Sequence, residues 1–208
     1  LLNARSAHQL PKHRLVVCKR MFQISRTPTH DEHFFQSRSI HNLLHLLGES
    51  ARHITQRCRG EARGMAVARG LSTEALIYAA GVVKNLSNSE QHQRSLGQLG
   101  TIRVLCDVLR ASGMLMDAVA ADEDGGSSAP RLEKHMAQLL IQLTGAMRNM
   151  CIEKAHQPQL EQSEAATALC AVLRPFASHG ELMFNVARVL AKLSLFESMR
   201  ASLNADPR

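Results

Sequence analysis

The stretch that decides the fold is Ala75-Leu-Ile-Tyr-Ala-Ala-Gly-Val-Val-Lys-Asn-Leu-Ser87. Its larger apolar side chains recur at steps of one and three residues, a spacing that places them on one stripe of an α-helix. The stretch closes with a short pattern, in which two apolar residues flank two mostly polar ones and a small residue follows. We therefore predict an amphipathic helix in which Leu86 is buried and Lys84 is exposed.

The closing pattern occurs four times in the chain. The copies are Met21-Phe-Gln-Ile-Ser25, Val83-Lys-Asn-Leu-Ser87, Met147-Arg-Asn-Met-Cys151 and Leu190-Ala-Lys-Leu-Ser194. The second apolar residues of successive copies are 62, 64 and 43 positions apart. The last spacing matches the period of about 40 to 47 residues that helical armadillo and HEAT repeats have. This regularity predicts a tandem array of helical units, with Leu86 and Met150 buried between them.

Two insertions account for the longer spacings, each of which exceeds the period by about 20 residues. Residues 49–72 are rich in arginine and glycine, and we expect a loop or a frayed helix extension there. Residues 117–131 combine acidic residues with glycine and serine, which predicts a flexible loop. With these interruptions, residues 1–208 are predicted to form a single array, and we expect it to be a piece of a longer chain because the first residue is not methionine.

Each unit is expected to contain three helices. A short polar helix and then a second apolar helix follow each long apolar one, and Gly97 and Gly100 mark turns in the best-defined unit. Three helices per unit, with the third the longest, is the layout of armadillo repeats, whereas HEAT repeats have two helices. The predicted fold class is all-α.

The composition limits both the core and the partners. Apolar residues make up 45% of the chain and aromatic residues only 3%, with no tryptophan, so the core must be mainly aliphatic. The formal charge of +7 favours an acidic partner. The scarcity of aromatic stacking residues argues against nucleic acid as a partner. No apolar run reaches the length of about 18 residues that membrane insertion needs, and five well-separated cysteines indicate reduced thiols in the cytoplasm.

No residue pattern indicates an enzyme, a metal site or a cofactor site. Glycine-rich phosphate loops and nucleophile elbows do not occur in the sequence. His41 and His45 lie one helical turn apart, and His30 and His33 flank two acidic residues, but the companion ligands of a metal motif are missing. We expect these histidines to be polar surface residues.

Three stretches resemble the armadillo-repeat family, namely residues 75–87, 139–150 and 184–194, and residues 17–25 fit as well. The resemblance implies an armadillo-like α-solenoid, a right-handed superhelix of three-helix repeats that binds other proteins. Within the family the chain resembles a ciliary member, which implies a protein of the cytoplasm and the axoneme. Such an adaptor would help to assemble the axoneme by carrying radial-spoke components on the intraflagellar transport machinery.

The resemblance also implies a candidate binding groove. In armadillo proteins the third helices line a concave groove, where an asparagine on the helix often hydrogen-bonds the backbone of an extended peptide. The matching positions here are Gln23, Asn85, Asn149 and Lys192. The cations beside them, which favour an acidic or extended partner segment, are Lys84, Arg148 and Arg188. The alternative is that the asparagines are ordinary cap-region residues and the charges belong to a solvated helix face.

Three functions remain open at this point. The first is a non-enzymatic scaffold or adaptor for axonemal, radial-spoke or transport proteins, and the second is a static structural component of the axoneme. The third is a peptide receptor of the nuclear-import type. The sequence disfavours it, because that type places a tryptophan one turn before the asparagine, where this chain has Gly81 and Gly145.

Overall fold

The computed structural model describes residues 4–60, 63–122 and 129–205, and in these ranges the chain is helical with no strand. The α-helices are α1 Ala4–Ile24, α2 Asp31–Gln36, α3 Ser39–Arg59, α4 Gly64–Arg69, α5 Thr73–Leu86, α6 Glu90–Gln98, α7 Thr101–Ala120, α8 Ala129–Met150, α9 Gln157–Gln162, α10 Ala165–Cys170, α11 Gly180–Leu193 and α12 Glu197–Ala205. Short 3-10 helices span Pro28–His30 and Lys154–His156.

The helices form two packed rows. The third helices of successive units, α1, α5, α8 and α11, make up the first row, in which each helix packs against the next. The second row contains α3, α7 and α10, and α7 packs against both of the others. The short helices α2, α6 and α9 lead from each third helix towards the next second helix. This is the predicted all-α, armadillo-like solenoid. We call the first row the third-helix row.

The second helices are longer than the sequence predicted. In the unit of α3 and α5, the second helix α3 has 21 residues and the third helix α5 has 14, so the expectation that the third helix is the longest is wrong for that unit. The second helix of the next unit, α7, has 20 residues. The helices are long because apolar side chains continue at helical spacing beyond the expected ends. Ile54 near the end of α3 and Val119 near the end of α7 are both buried.

The two insertions are largely helical. In the basic insertion, residues 49–59 lie in α3 and residues 64–69 form α4. In the acidic insertion, the expected loop is shorter than 117–131, because residues 117–120 belong to α7 and 129–131 to α8. Residues 123–128 lie outside the described part of the chain.

The two insertions also contact each other. α4 packs against α7, and a side chain at Gly64 would come within 2.5 Å of the backbone nitrogen of Val119. The carboxylate of Asp122 accepts a hydrogen bond of 3.0 Å from the backbone nitrogen of Met65, in the first turn of α4. The basic insertion is therefore part of the folded array.

One aliphatic core runs through all the units. Leu86 and Met150 are completely buried, as predicted from the closing pattern. Cys106 and Cys151 belong to the same core, and burial raises the pKa of each thiol to about 12. Both thiols therefore stay protonated near neutral pH and pack as small apolar groups.

Two glycines allow the third helices to approach each other closely. A methyl group at Gly81 would lie 2.6 Å from the ring of Phe22 in α1, and one at Gly145 would lie 3.2 Å from the stem of Lys84 in α5. Gly81 and Gly145 occupy the same position in the repeat, four residues before Asn85 and Asn149. Their packing role agrees with the interpretation that they serve helix contact rather than ligand contact.

We expect Leu86→Ala to lower the free energy of unfolding by about 2 to 5 kcal/mol, because it removes a fully buried side chain and leaves a cavity. The matched control is Leu195→Ala, since Leu195 is 77% exposed and its loss should change stability by less than about 0.5 kcal/mol. Urea denaturation of both variants measures the difference. Equal losses would contradict the burial of the closing residue.

We expect Gly81→Ala to destabilise the fold by about 1 to 3 kcal/mol, because the new methyl group must displace the ring of Phe22. Gly48→Ala is the control, since nothing lies within 4 Å of that site in α3 and alanine improves helix propensity by up to about 1 kcal/mol. Thermal unfolding compares the two variants. An equal gain in stability in both variants would show that α1 and α5 are too far apart for the methyl group to meet the ring of Phe22.

Candidate functional site

The structure places all seven candidate groove residues on the third-helix row, in the C-terminal halves of its helices. Gln23 on α1 and Arg188 on α11 are exposed. The half-buried members of the set are Lys84, Asn85, Arg148, Asn149 and Lys192. Lys84 was predicted to be exposed, but its aliphatic stem packs against α8 at Gly145. The row thus aligns one amide or amine per unit.

Asn85 bonds to the preceding unit. Its side-chain nitrogen donates to the hydroxyl oxygen of Ser25 at 3.0 Å, and the hydroxyl of Ser25 donates to the carbonyl oxygen of Phe22 at 3.0 Å. Because a hydroxyl has a single proton, Ser25 can only accept from the amide. The amide nitrogen of Asn85 must therefore face Ser25, and its carbonyl oxygen must face away.

Asn149 repeats this arrangement one unit later. Its side-chain nitrogen donates to the hydroxyl of Ser87 at 3.0 Å and to the side-chain oxygen of Asn88 at 2.9 Å. The hydroxyl of Ser87 donates to the carbonyl of Lys84 at 2.7 Å, so the orientation of the amide follows by the same reasoning. We call these two asparagine–serine contacts the inter-unit rungs.

The last unit replaces the rung with a charged contact. Lys192 stands where the asparagines stand, and its amine donates to the backbone carbonyl of Arg148 at 3.0 Å. In the preceding unit the small residue is the buried Cys151, whose thiol is a weak acceptor. The lysine reaches the stronger carbonyl acceptor instead.

The inter-unit rungs limit which hydrogen-bonding groups of the asparagines are left for a partner. Sequence reasoning assigned each amide both a donor and an acceptor role towards a bound peptide. Both N–H groups of Asn149 and one of the two of Asn85 are instead used between units. Within the described residues, the side-chain oxygens of Asn85 and Asn149 accept no hydrogen bond. Each amide can therefore receive one hydrogen bond from a partner, such as one from a backbone N–H. The signal for each rung was the serine that ends the closing pattern of the preceding unit, Ser25 for Asn85 and Ser87 for Asn149.

Apolar contacts hold two of the cations in this row. The guanidinium of Arg188 lies 4.2 Å from the ring centre of Phe184, which is 58% exposed. The stem of Lys84 lies across Gly145. Both cations therefore pack against apolar groups of the row, and Arg188 is exposed to solvent.

A second polar contact between units was missed by sequence reasoning. His92 of α6 lies between two carboxylates of α2, with its ring nitrogens 3.4 Å from Asp31 and 3.4 Å from Glu32, and its ring stacks on Phe35 at 5.0 Å. Burial raises the pKa of Asp31, and the neighbouring His92 opposes that shift. The contact joins the first helices of two adjacent units.

The histidines considered as metal ligands lie on the surface. His45 lies 3.6 Å from Glu49, both with exposed side chains, and the rings of His30 and His33 stack at 6.4 Å. Among the described residues, no three His, Cys, Asp or Glu side chains form a group that could hold a metal ion. In the same part of the chain, none of the helices combines the length and the apolarity needed to cross a bilayer.

Two curated proteins, both named Armadillo repeat-containing protein 2, are similar to the chain. The protein of Mus musculus is 24% identical over 197 residues, which cover 95% of this chain and 20% of the mouse protein. The protein of Bos taurus is 22% identical over a match of the same extent. The chain thus spans about a fifth of the length of these relatives. No family model and no solved structure matches it. The chain is an all-α, armadillo-like solenoid whose sequence is similar, along nearly its whole length, to a segment of Armadillo repeat-containing protein 2.

Proposed function

We propose that this chain is a non-enzymatic scaffold that binds other proteins through the third-helix row. The observation that supports this most directly is the alignment of outward-facing amide oxygens by the inter-unit rungs. The oxygens of Asn85 and Asn149 belong to successive units and project from equivalent positions. An extended segment that follows the row would donate backbone N–H groups to them, as extended peptides do at strand edges.

The charges of the row favour an acidic partner segment. Arg148 and Arg188 lie near the rungs, and no described carboxylate forms an ion pair with either of them. Charges of this kind steer an acidic partner and select against a basic one. The Asn–Ser rungs and the half-buried cation stems hold the row in place before a partner binds, which lowers the entropic cost of binding.

In the cell, we place this scaffold in the assembly of the ciliary or flagellar axoneme, as an adaptor that carries radial-spoke components with intraflagellar transport. Support comes from the resemblance to a ciliary armadillo protein and from the similarity that covers 95% of the chain. A static structural role in the axoneme is the second candidate. It would use the same surface, and it differs in where the protein resides after assembly.

A nuclear-import type of receptor fits this row less well. Such a receptor needs tryptophan pockets one turn before the asparagines. The ring of Phe22 already contacts Gly81, and the stem of Lys84 contacts Gly145, so a large side chain at either position has no room. The cations would also repel a basic peptide.

The binding test compares two double variants as bait in a pull-down from ciliated-cell extract, read by quantitative mass spectrometry. Asn85→Ala with Asn149→Ala removes the rungs and the amide oxygens, whereas Ser25→Ala with Ser87→Ala removes the rungs alone. Each lost rung should cost about 1 kcal/mol of stability in both variants. We expect only the asparagine variant to lose about tenfold in partner recovery, which corresponds to about 1.4 kcal/mol.

Adding Arg148→Glu should deepen the loss and make binding less sensitive to salt, since an attractive charge is removed. Circular dichroism checks that each variant keeps its helix content. Unchanged recovery by the folded asparagine variant, or equal losses in the serine variant, would refute the role of the amide oxygens.

Cell fractionation separates the adaptor from the static component. We expect the adaptor to be recovered with the soluble and transport fractions and to be washed from mature axonemes by salt. Retention in salt-washed axonemes, at the level of a structural marker, would favour the static role.

A further inference from the structure

We infer that a second docking site lies at the opposite ends of the same helices, where a crevice binds an acidic, extended protein segment that also carries apolar side chains. Two adjoining cavities of about 530 and 510 Å³ form this crevice. They share four lining residues, Leu15, Arg69, Leu71 and Ser72. We call it the N-terminal crevice, because it follows the N-terminal parts of the third helices.

The N-terminal crevice crosses three units. Its first cavity lies between α1, α3 and the turn from α4 to α5, and its second lies between that turn and the start of α8. The cations along it come from three helices, and each has an exposed side chain: Lys12, Arg14, Arg69 and Arg131. The crevice thus presents a line of positive charge across the stack.

These cations differ from four other arginines of the described residues, which do form ion pairs. Arg52, Arg94, Arg103 and Arg110 are each within 4.0 Å of a carboxylate. None of the four crevice cations forms an ion pair with a described carboxylate. The structure therefore leaves several positive charges together in a concave site, where an acidic ligand would neutralise them.

The net positive charge of the chain lies in the first third of its sequence. Residues 1–69 contain 12 of the 25 lysines and arginines but only 4 of the 18 acidic residues. The remaining residues contain 13 basic and 14 acidic residues, so the formal charge of +7 comes from the first third of the chain. Three of these cations, Lys12, Arg14 and Arg69, line the N-terminal crevice, so the crevice lies in the part of the chain whose net charge attracts an acidic partner.

The floor of the crevice is apolar. Leu15, Leu46 and Leu71 are half-buried and line the first cavity, and Met65 lines the second. A ligand of pure charge would leave these side chains in contact with water. A segment in which acidic and apolar residues alternate would pair its carboxylates with the cations of the crevice and cover the apolar floor. The first turn of α5 also borders the crevice at Ser72, whose side chain makes no capping hydrogen bond.

The same features favour a protein segment over nucleic acid or a membrane. Neither cavity is lined by Phe, Tyr or Trp, on which bases could stack. The carboxylates of Glu49 and Glu74 line the cavities and would repel a continuous phosphate backbone, whereas they tolerate spaced acidic side chains. A concave crevice also gives poor contact with a flat lipid surface.

The test uses a short fluorescein-labelled peptide in which pairs of glutamates alternate with leucine, titrated by fluorescence anisotropy. We expect Arg69→Glu and Lys12→Glu each to weaken binding by about tenfold. Lys154→Glu is the matched control, with the same change of charge at an exposed site far along the array, and it should stay within about twofold. Arg69→Gln gives a milder second variant if Arg69→Glu does not fold.

Two further probes decide what the crevice recognises. A peptide with serine in place of leucine should bind at least about fivefold more weakly, because it cannot cover the apolar floor. Single-stranded oligonucleotide and anionic lipid vesicles should compete poorly with the original peptide. The inference is overturned if the Lys154 and Arg69 variants lose affinity equally, if the serine peptide binds as well, or if either competitor displaces the peptide more effectively. The Asn85 and Asn149 double variant should bind this peptide normally, so the result is independent of the rungs.

Discussion

Contact between neighbouring third helices is the constraint on which the rest of the structure depends. A repeat stack has no core apart from the surfaces that its units bury against each other. Leu86 and Met150 lie fully buried in those surfaces, and Gly81 brings the backbones of α1 and α5 close together. The apolar contact supplies most of the free energy. The inter-unit rungs constrain alignment, because a shifted helix would leave an amide N–H without a partner.

The helices of the third-helix row present different chemistry at their N-terminal and C-terminal ends. The C-terminal halves of the helices hold the rungs and their outward amide oxygens. The N-terminal parts border a crevice whose cations form no ion pair with a described carboxylate. α5 has 14 residues, so the two sites lie about 20 Å apart along the helix axis. A segment that crosses the helices at one of these ends therefore passes the other site at that distance. With both proposed sites in use, the row would hold two partners, or two segments of one partner.

The lengthened second helices explain how the basic insertion is held in place. α3 and α7 extend beyond the ordinary repeat, and α4 packs on α7 beside the Asp122–Met65 hydrogen bond. The carboxylate of Asp122 also sits at the first turn of α4, where the helix dipole favours negative charge. Arginines that would be dispersed in a loop are thereby fixed on helices, and Arg69 is brought to the crevice.

The amino-acid sequence by itself determined the fold class, the four third helices and their buried faces, because helical periodicity is expressed within about twenty neighbouring residues. It also located the seven residues of the candidate row. Only the tertiary structure decided how long the second helices are and what the asparagines do. Asn85 and Ser25 are 60 positions apart in the chain and 3.0 Å apart in space. Whether an amide faces solvent or bonds a neighbouring helix depends on the distance between the two helices. That distance follows from the packing of all the units together, and local spacing does not encode it.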